Sequence, residues 1–266
     1  MGLKIGIFDS GIGGLTVAKA IKNKLPQAEL VYFGDTAHLP YGDKSPASIR
    51  HYSTKITQFL LSENCTALVI ACNTASAHAF KTVKDVAGPD IPVFNVIDPV
   101  VKFIATRYQN QKVGIIATRG TIKTRVYPRS IKIANSSITV GSKSTPLLAS
   151  MIEEGFFNDS IPQAVLEAYF SDNRFKDIDS IILGCTHYPL VKDEVNNLLP
   201  SGVAVIDSPS IVAEQLNSVL IAMGEKVTES TLKEKHHFQV SDLTENFKFS
   251  ARHFFGDDLT LEEVVL

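Results

Sequence analysis

The sequence carries an echo of itself. Lys4-Ile5-Gly6-Ile7-Phe8 is matched later by Lys112-Val113-Gly114-Ile115-Ile116. Leu68-Val69-Ile70-Ala71-Cys72-Asn73-Thr74 is matched by Ile181-Ile182-Leu183-Gly184-Cys185-Thr186-His187. The order is the same in both halves and the internal distances are close. Two related units in one chain explain this, and each ends a strand in a cysteine followed by small polar residues.

The pattern around the echo fixes the class of each unit. Short apolar runs at 3–8, 29–33, 67–71, 92–97, 112–117, 180–183 and 203–206 read as strands. They are rich in β-branched residues and apolar on both sides, as strands of a covered parallel sheet are. Helix-length amphipathic stretches lie between them, at 15–25, 46–64, 75–86, 161–170, 190–199 and 210–223. This alternation means an α/β protein. Two pseudo-symmetric α/β lobes with mainly parallel sheets are expected, with an active site in the cleft between them. The first lobe takes residues 1–97 plus about 208–266, and the second takes 98–207. Glu225–Lys235 reads as a linker before a final strand-and-helix piece, and 131–144 matches no element clearly. A chain of 266 residues is long enough for two such cores.

Composition narrows the function classes. There are 26 basic and 28 acidic side chains, for a net charge of -2, so nothing points to a nucleic-acid partner. No apolar run approaches the length of a membrane span. Residues 1–8 lead into a strand without a charged-then-apolar leader, so a cytoplasmic protein is expected. Three cysteines, Cys65, Cys72 and Cys185, are too few and odd in number for a disulfide framework.

In open parallel sheets ligands bind beyond the carboxyl ends of the strands. Asp9-Ser10-Gly11-Ile12-Gly13-Gly14 stands at the first such end and opens a helix. Its glycines permit close backbone approach to a ligand, and the helix start favours a carboxylate. The dinucleotide fingerprint is not met, because the third glycine follows the second directly. The loop 34–42, with Asp35, His38 and Tyr41, follows the second strand and reads equally as a substrate wall or an ordinary turn.

Cys65, at a helix end, reads as a small buried hydrophobe. Cys72 and Cys185 differ, since each ends a strand and enters polar sequence. One thiol alone suffices for a nucleophile. A matched pair, one per lobe, suits proton exchange at the two faces of one carbon, a thiolate taking the proton and a thiol returning one. Backbone N–H groups near Ser10, Asn73, Thr74 and Thr186 would steady the carbanion. His187, two residues past Cys185, reads as an aid to that thiol. A zinc site would need a second Cys/His pair at ligand spacing, and the sequence has none. His236-His237 read as surface residues.

Taken together, Phe8-Asp9-Ser10-Gly11-Ile12-Gly13-Gly14, Gly34-Asp35-Thr36 with Pro40-Tyr41-Gly42, Ala71-Cys72-Asn73-Thr74-Ala75-Ser76-Ala77 and Gly184-Cys185-Thr186-His187-Tyr188-Pro189-Leu190 resemble the glutamate racemases of the aspartate/glutamate racemase family. The likeness runs nearly the full length, in family order. It implies an isomerase that interconverts L- and D-glutamate with no cofactor and no metal, supplies D-glutamate for peptidoglycan, and forms a homodimer. It implies catalytic roles for Cys72, Cys185, Asp9 and His187. It implies substrate contacts from Asp9, Ser10, Pro40, Tyr41, Gly42, Asn73, Thr74, Thr118, Thr121, Thr186, His187 and Glu153. Family members often carry Cys-Pro upstream of that glutamate, where this chain has Thr145-Pro146. An aspartate racemase shares the two-cysteine logic and differs in substrate by one methylene. A one-cysteine hydrolase would need only one of the thiols, and an amino-acid-binding module would need neither.

Overall fold

The computed structural model describes residues 2–156, 160–224, 236–255 and 259–266. Glu225–Lys235, read above as a linker, lies outside the described residues. The strands are β1 Lys4–Asp9, β2 Glu29–Gly34, β3 Ala67–Ile70, β4 Val93–Asn95, β5 Lys112–Ala117, β6 Thr139–Ser144, β7 Ser180–Gly184, β8 Ala204–Ile206, β9 His237–Val240 and β10 Leu261–Glu263. The helices are α1 Leu15–Lys24, α2 Pro46–Ser62, α3 Asn73–Ala87, α4 Asp98–Arg107, α5 Arg119–Thr124, α6 Val126–Ala134, α7 Pro146–Glu153, α8 Ser160–Phe170, α9 Lys192–Leu198, α10 Ser208–Ala222 and α11 Glu245–Phe255.

The strands form two sheets, ordered β10-β9-β2-β1-β3-β4 and β6-β5-β7-β8. Every pairing in both is parallel. β1 and β5 are the equivalent central strands, and Gly6 and Gly114 hold equivalent places in them. β1, β3, β5 and β7 are almost wholly buried, which is why they read as continuous apolar runs.

The sequence was opaque over 131–144 for a physical reason. The stretch holds the end of α6 and then β6, an edge strand of sequence Thr-Val-Gly-Ser-Lys-Ser with a single buried position. Such a strand has no apolar face to announce it. β9 and α11 are the final strand-and-helix piece, and β10 adds a further edge strand. His237 is a correction: it opens β9 and is half-buried beside β2, its Nε2 3.8 Å from Glu29.

The core is continuous across the two sheets. One apolar cluster includes Ile5, Leu15 and Ile21 from the first and Leu183, Tyr188 and Val195 from the second, joined by Val212 and Leu216 of α10. Each fully buried Leu or Ile in it contributes about 1.5–3 kcal/mol relative to exposure. α10 packs along α1, and Lys24 bonds Glu214 between them at 2.6 Å. That packing points the carboxyl ends of β1, β3, β5 and β7 into one cleft. No described helix is long and apolar enough to cross a membrane.

Candidate active site

The turn after β1 is built around the Asp9 carboxylate. Asp9 is fully buried, and its Oδ2 accepts the backbone N–H groups of Gly11 at 3.1 Å and Gly14 at 3.0 Å. Two such bonds fix the turn and carry the chain into α1. Gly13 is required here by space. A Cβ on it would lie 2.4 Å from Thr186 Oγ1 and 2.6 Å from His187 Nδ1. The turn of one lobe is thus pressed against the cysteine turn of the other. Thr186 completes the contact by donating to Asp9 Oδ1 at 3.4 Å.

Cys72 caps α3, its Sγ accepting the Ala75 N–H at 3.5 Å. The thiol also lies 3.7 Å from Ser10 Oγ. Burial pushes the Cys72 thiol well above its ordinary range, and the nearby Asp9 charge adds to this. Cys185 follows β7 directly, and its Sγ lies 3.5 Å from His187 Nδ1. His187 Nε2 meets Glu153 Oε1 at 2.6 Å, from the end of α7. Burial of the ring favours its neutral form. The Glu153 carboxylate and the Cys185 sulfur outweigh that and hold the His187 pKa well above its usual value. Burial likewise raises Asp9, against the opposing pull of His187 and the two backbone bonds.

The remaining wall comes from loop and helix starts. Tyr41 is buried and donates to Asp35 Oδ2 at 2.6 Å, while Ser241 donates to Asp35 Oδ1 at 3.0 Å. The loop 34–42 is therefore tied to the end of β9 from behind. The Tyr41 hydroxyl donates its proton to this anchor and not to the cleft. Thr118 caps α5 by accepting the Thr121 N–H at 3.3 Å. Its hydroxyl lies 2.9 Å from that of Thr74 and 3.1 Å from that of Thr121. This threonine cluster joins the two halves across the cleft mouth.

The cleft is tight, with about 20 Å³ of free cavity between its walls. Ser10, Pro40, Tyr41, Gly42, Cys72, Asn73, Thr74, Thr118, Glu153, Cys185, Thr186 and His187 all line it. Asp9 and Thr121 stand one layer behind, each bonded to a lining residue. Leu39 and Ala149 also line the cleft and went unread from sequence. Leu39 sits inside the loop already singled out, and Ala149 is one helical turn before Glu153, where its face could have been counted. Thr145 is buried behind this wall with its hydroxyl 2.8 Å from that of Tyr188. A larger hollow, of about 450 Å³ between α4 and α10, contains neither cysteine nor histidine. Among the described residues no group of three or more His, Cys, Asp or Glu is arranged to hold a metal ion.

Known proteins share this design. The Asp/Glu/hydantoin racemase family profile matches residues 15–216. A glutamate racemase of Chlorobaculum parvum is 38% identical over 98% of this chain and 95% of its own. A glutamate racemase structure from Francisella tularensis, in complex with D-glutamate, has a TM-score of 0.89 and 36% identity, covering 98% of this chain and 97% of that one. One from Bacillus anthracis reaches a TM-score of 0.93 at 31% identity, covering 99% and 98%. The chain belongs to the glutamate racemases of the Asp/Glu racemase family.

Proposed function

We propose that this protein interconverts L- and D-glutamate with Cys72 and Cys185 as the two proton-transfer groups. The observation that carries the reading is the pair of buried, unbridged thiols, one from each sheet, lining one small cleft. For one enantiomer, a thiolate at Cys72 takes the α-proton and becomes a thiol. The electron pair left on the carbon takes a proton from the Cys185 thiol, which becomes a thiolate. The other enantiomer runs the same steps in reverse.

Each thiol has support suited to this task. Burial makes a thiolate at Cys72 costly, and hence a strong base when it forms. His187, whose pKa the Glu153 carboxylate holds well above its usual value, stands with Nδ1 3.5 Å from the Cys185 sulfur, within reach of a hydrogen bond to it. The hydroxyls of Ser10 and Thr74 and the amide of Asn73 are donors for the substrate carboxylates, which carry charge as the α-carbon loses its proton, while the Thr186 hydroxyl is held on Asp9. The Francisella relative was solved with D-glutamate, which supports glutamate as the substrate.

The two-lobe division, 1–97 with about 208–266 and 98–207, belongs to the same reading. Sheet membership of the strands supports it. In this reading the protein works in the cytoplasm as a homodimer, and its D-glutamate supplies peptidoglycan synthesis.

The test is racemisation in deuterated water without added cofactor. L-Glutamate, D-glutamate and L-aspartate are incubated separately and followed by circular dichroism and α-deuterium content. Loss of optical signal with α-deuterium for glutamate alone is the expected result. Turnover of aspartate instead overturns the substrate assignment. Absence of exchange from folded, reduced protein overturns the racemase reading.

A further inference from the structure

Tyr127 has no part in the roles assigned so far, yet it touches both cysteine turns. It lies on α6 and is 1% exposed. Its hydroxyl donates to Asn73 Oδ1 at 2.7 Å, across the boundary between the two sheets. Asn73 follows Cys72 directly. The Tyr127 ring lies against Gly184, where an added Cβ would sit 3.5 Å from ring Cε2. Gly184 precedes Cys185 directly. One rigid side chain therefore spans from the neighbour of one thiol to the neighbour of the other.

In this structure the hydrogen bond turns the Asn73 oxygen toward Tyr127. An amide has an oxygen that only accepts and an NH₂ that only donates. The Tyr127 O–H occupies the oxygen. The NH₂ is left for the cleft, which Asn73 lines. A carboxylate needs donors, and the reversed amide would present it with an oxygen and repel it. The phenol keeps its proton for this purpose. Burial raises its pKa well above the ordinary phenol range, and the charges of Cys185 and Asp98 raise it further.

We propose that Tyr127 is a positioning residue that holds the Asn73 amide with its NH₂ toward the substrate carboxylate, giving binding energy common to both enantiomers. The proposal rests on the racemase reading above. A contact with a group that both enantiomers share, and that persists through the reaction, acts mainly on KM. It must also act equally in the two directions, because the equilibrium constant between enantiomers is one.

Tyr127→Phe removes the hydroxyl and keeps the ring against Gly184. The expected result is a rise in KM of about tenfold for both L- and D-glutamate, with kcat within about threefold of the parent. Affinity for D-glutamate by calorimetry should fall by the same factor. Asn73→Ala and the Tyr127→Phe/Asn73→Ala pair complete a double-mutant cycle, in which Tyr127→Phe should add nothing once Asn73 is gone. An unchanged KM, or effects that simply add, overturns the positioning role. A drop in kcat and thermal midpoint with KM unchanged overturns it in favour of a purely structural strut. The parent enzyme, assayed in parallel, tests the racemase reading separately. If it binds glutamate without racemising it, the Tyr127 proposal still stands or falls on the calorimetric ratio.

Discussion

At the scale of single residues, the site is asymmetric although the fold around it repeats. Cys72 has neutral partners, Ser10 and the Ala75 N–H, while Cys185 has an imidazole backed by a carboxylate. In the proposed two-base scheme both thiols nonetheless act in every turnover. Cys72→Ser and Cys185→Ser should each lower racemisation in both directions by at least about 10³-fold, within the range for lost acid–base groups. Chiral chromatography of the products checks this, and near-normal activity in either variant would refute the two-base scheme. The Glu153–His187 contact allows a sharper forecast. Glu153→Gln removes the main influence that raises the His187 pKa, so burial is opposed mainly by the Cys185 sulfur and the pKa falls. The imidazolium is then lost at lower pH, and the alkaline limb of kcat/KM should move down by about one pH unit or more. Stability should follow the same sign. A histidine raised in the folded state stabilises fully below its ordinary value of about 6.5, and this is lost as pH rises through the raised folded value. Glu153→Gln should flatten that alkaline loss, which melting curves recorded from pH 6 upward would reveal. A variant with the parent's pH profile would show that Glu153 does not control the ring.

At the scale of elements, the close meeting of the Asp9–Gly14 turn with the Cys185–His187 turn is the most demanding feature. Gly13→Ala places a methyl group within 2.4 Å of Thr186 Oγ1, so one turn must retreat. The expected cost is about 1–3 kcal/mol of stability. Activity should drop about 10²-fold, because the displaced groups are those that must meet the substrate. Denaturant melts and initial rates measure both, and a fully active Gly13→Ala protein would show that the two turns separate freely. The same elements explain what sequence could and could not reveal. β1, β3, β5 and β7 were legible because burial on both faces forces unbroken apolar runs. α4 was not, since Asp98-Pro99 starts it directly after the apolar stretch of β4 and hides the boundary. α5 and α6 are short and joined at Arg125, whose left-handed φ of 56° breaks their common period. α7 is apolar nearly all round, so it shows no face to count. Cys72 and Cys185 stood out because a cysteine that closes an apolar run and opens polar sequence marks a strand end, whereas Thr118, Thr121 and Glu153 came only from the resemblance to the family. Tyr127 left no such mark. It is an aromatic inside a short helix, and its meaning comes only from Asn73, 54 positions away.

At the scale of the whole molecule, the cleft is closed by polar contacts at its mouth and by apolar packing behind. α10 and α1 belong to the apolar side, and no substrate is needed to hold them together. The mouth depends on hydroxyls. Thr118 serves two ends there: it caps α5 through the Thr121 N–H and bonds Thr74 across the cleft. The exposed ion pair between Arg119 and Asp43, at 3.3 Å, crosses the same gap but contributes little in water. Thr118→Val keeps the shape and deletes all three hydroxyl contacts, to the Thr121 N–H and to the hydroxyls of Thr74 and Thr121. Loss of the cap costs about 1 kcal/mol, which for a chain of this size lowers the melting temperature by about 2–4 °C. Thr74 then keeps only its 3.2 Å contact with Thr121 across the cleft, so the mouth is held less firmly and KM should rise more than kcat falls. Asp43→Asn, by contrast, should leave both within about twofold. Saturating D-glutamate separates the two consequences in one experiment. Ligand that binds only the closed form stabilises it by an amount that grows with the ratio of its concentration to Kd. Thr118→Val should therefore show both a lower starting midpoint and a smaller rise with D-glutamate than the parent. An equal rise in both proteins would mean that the threonine cluster caps a helix and does not govern closure of the cleft.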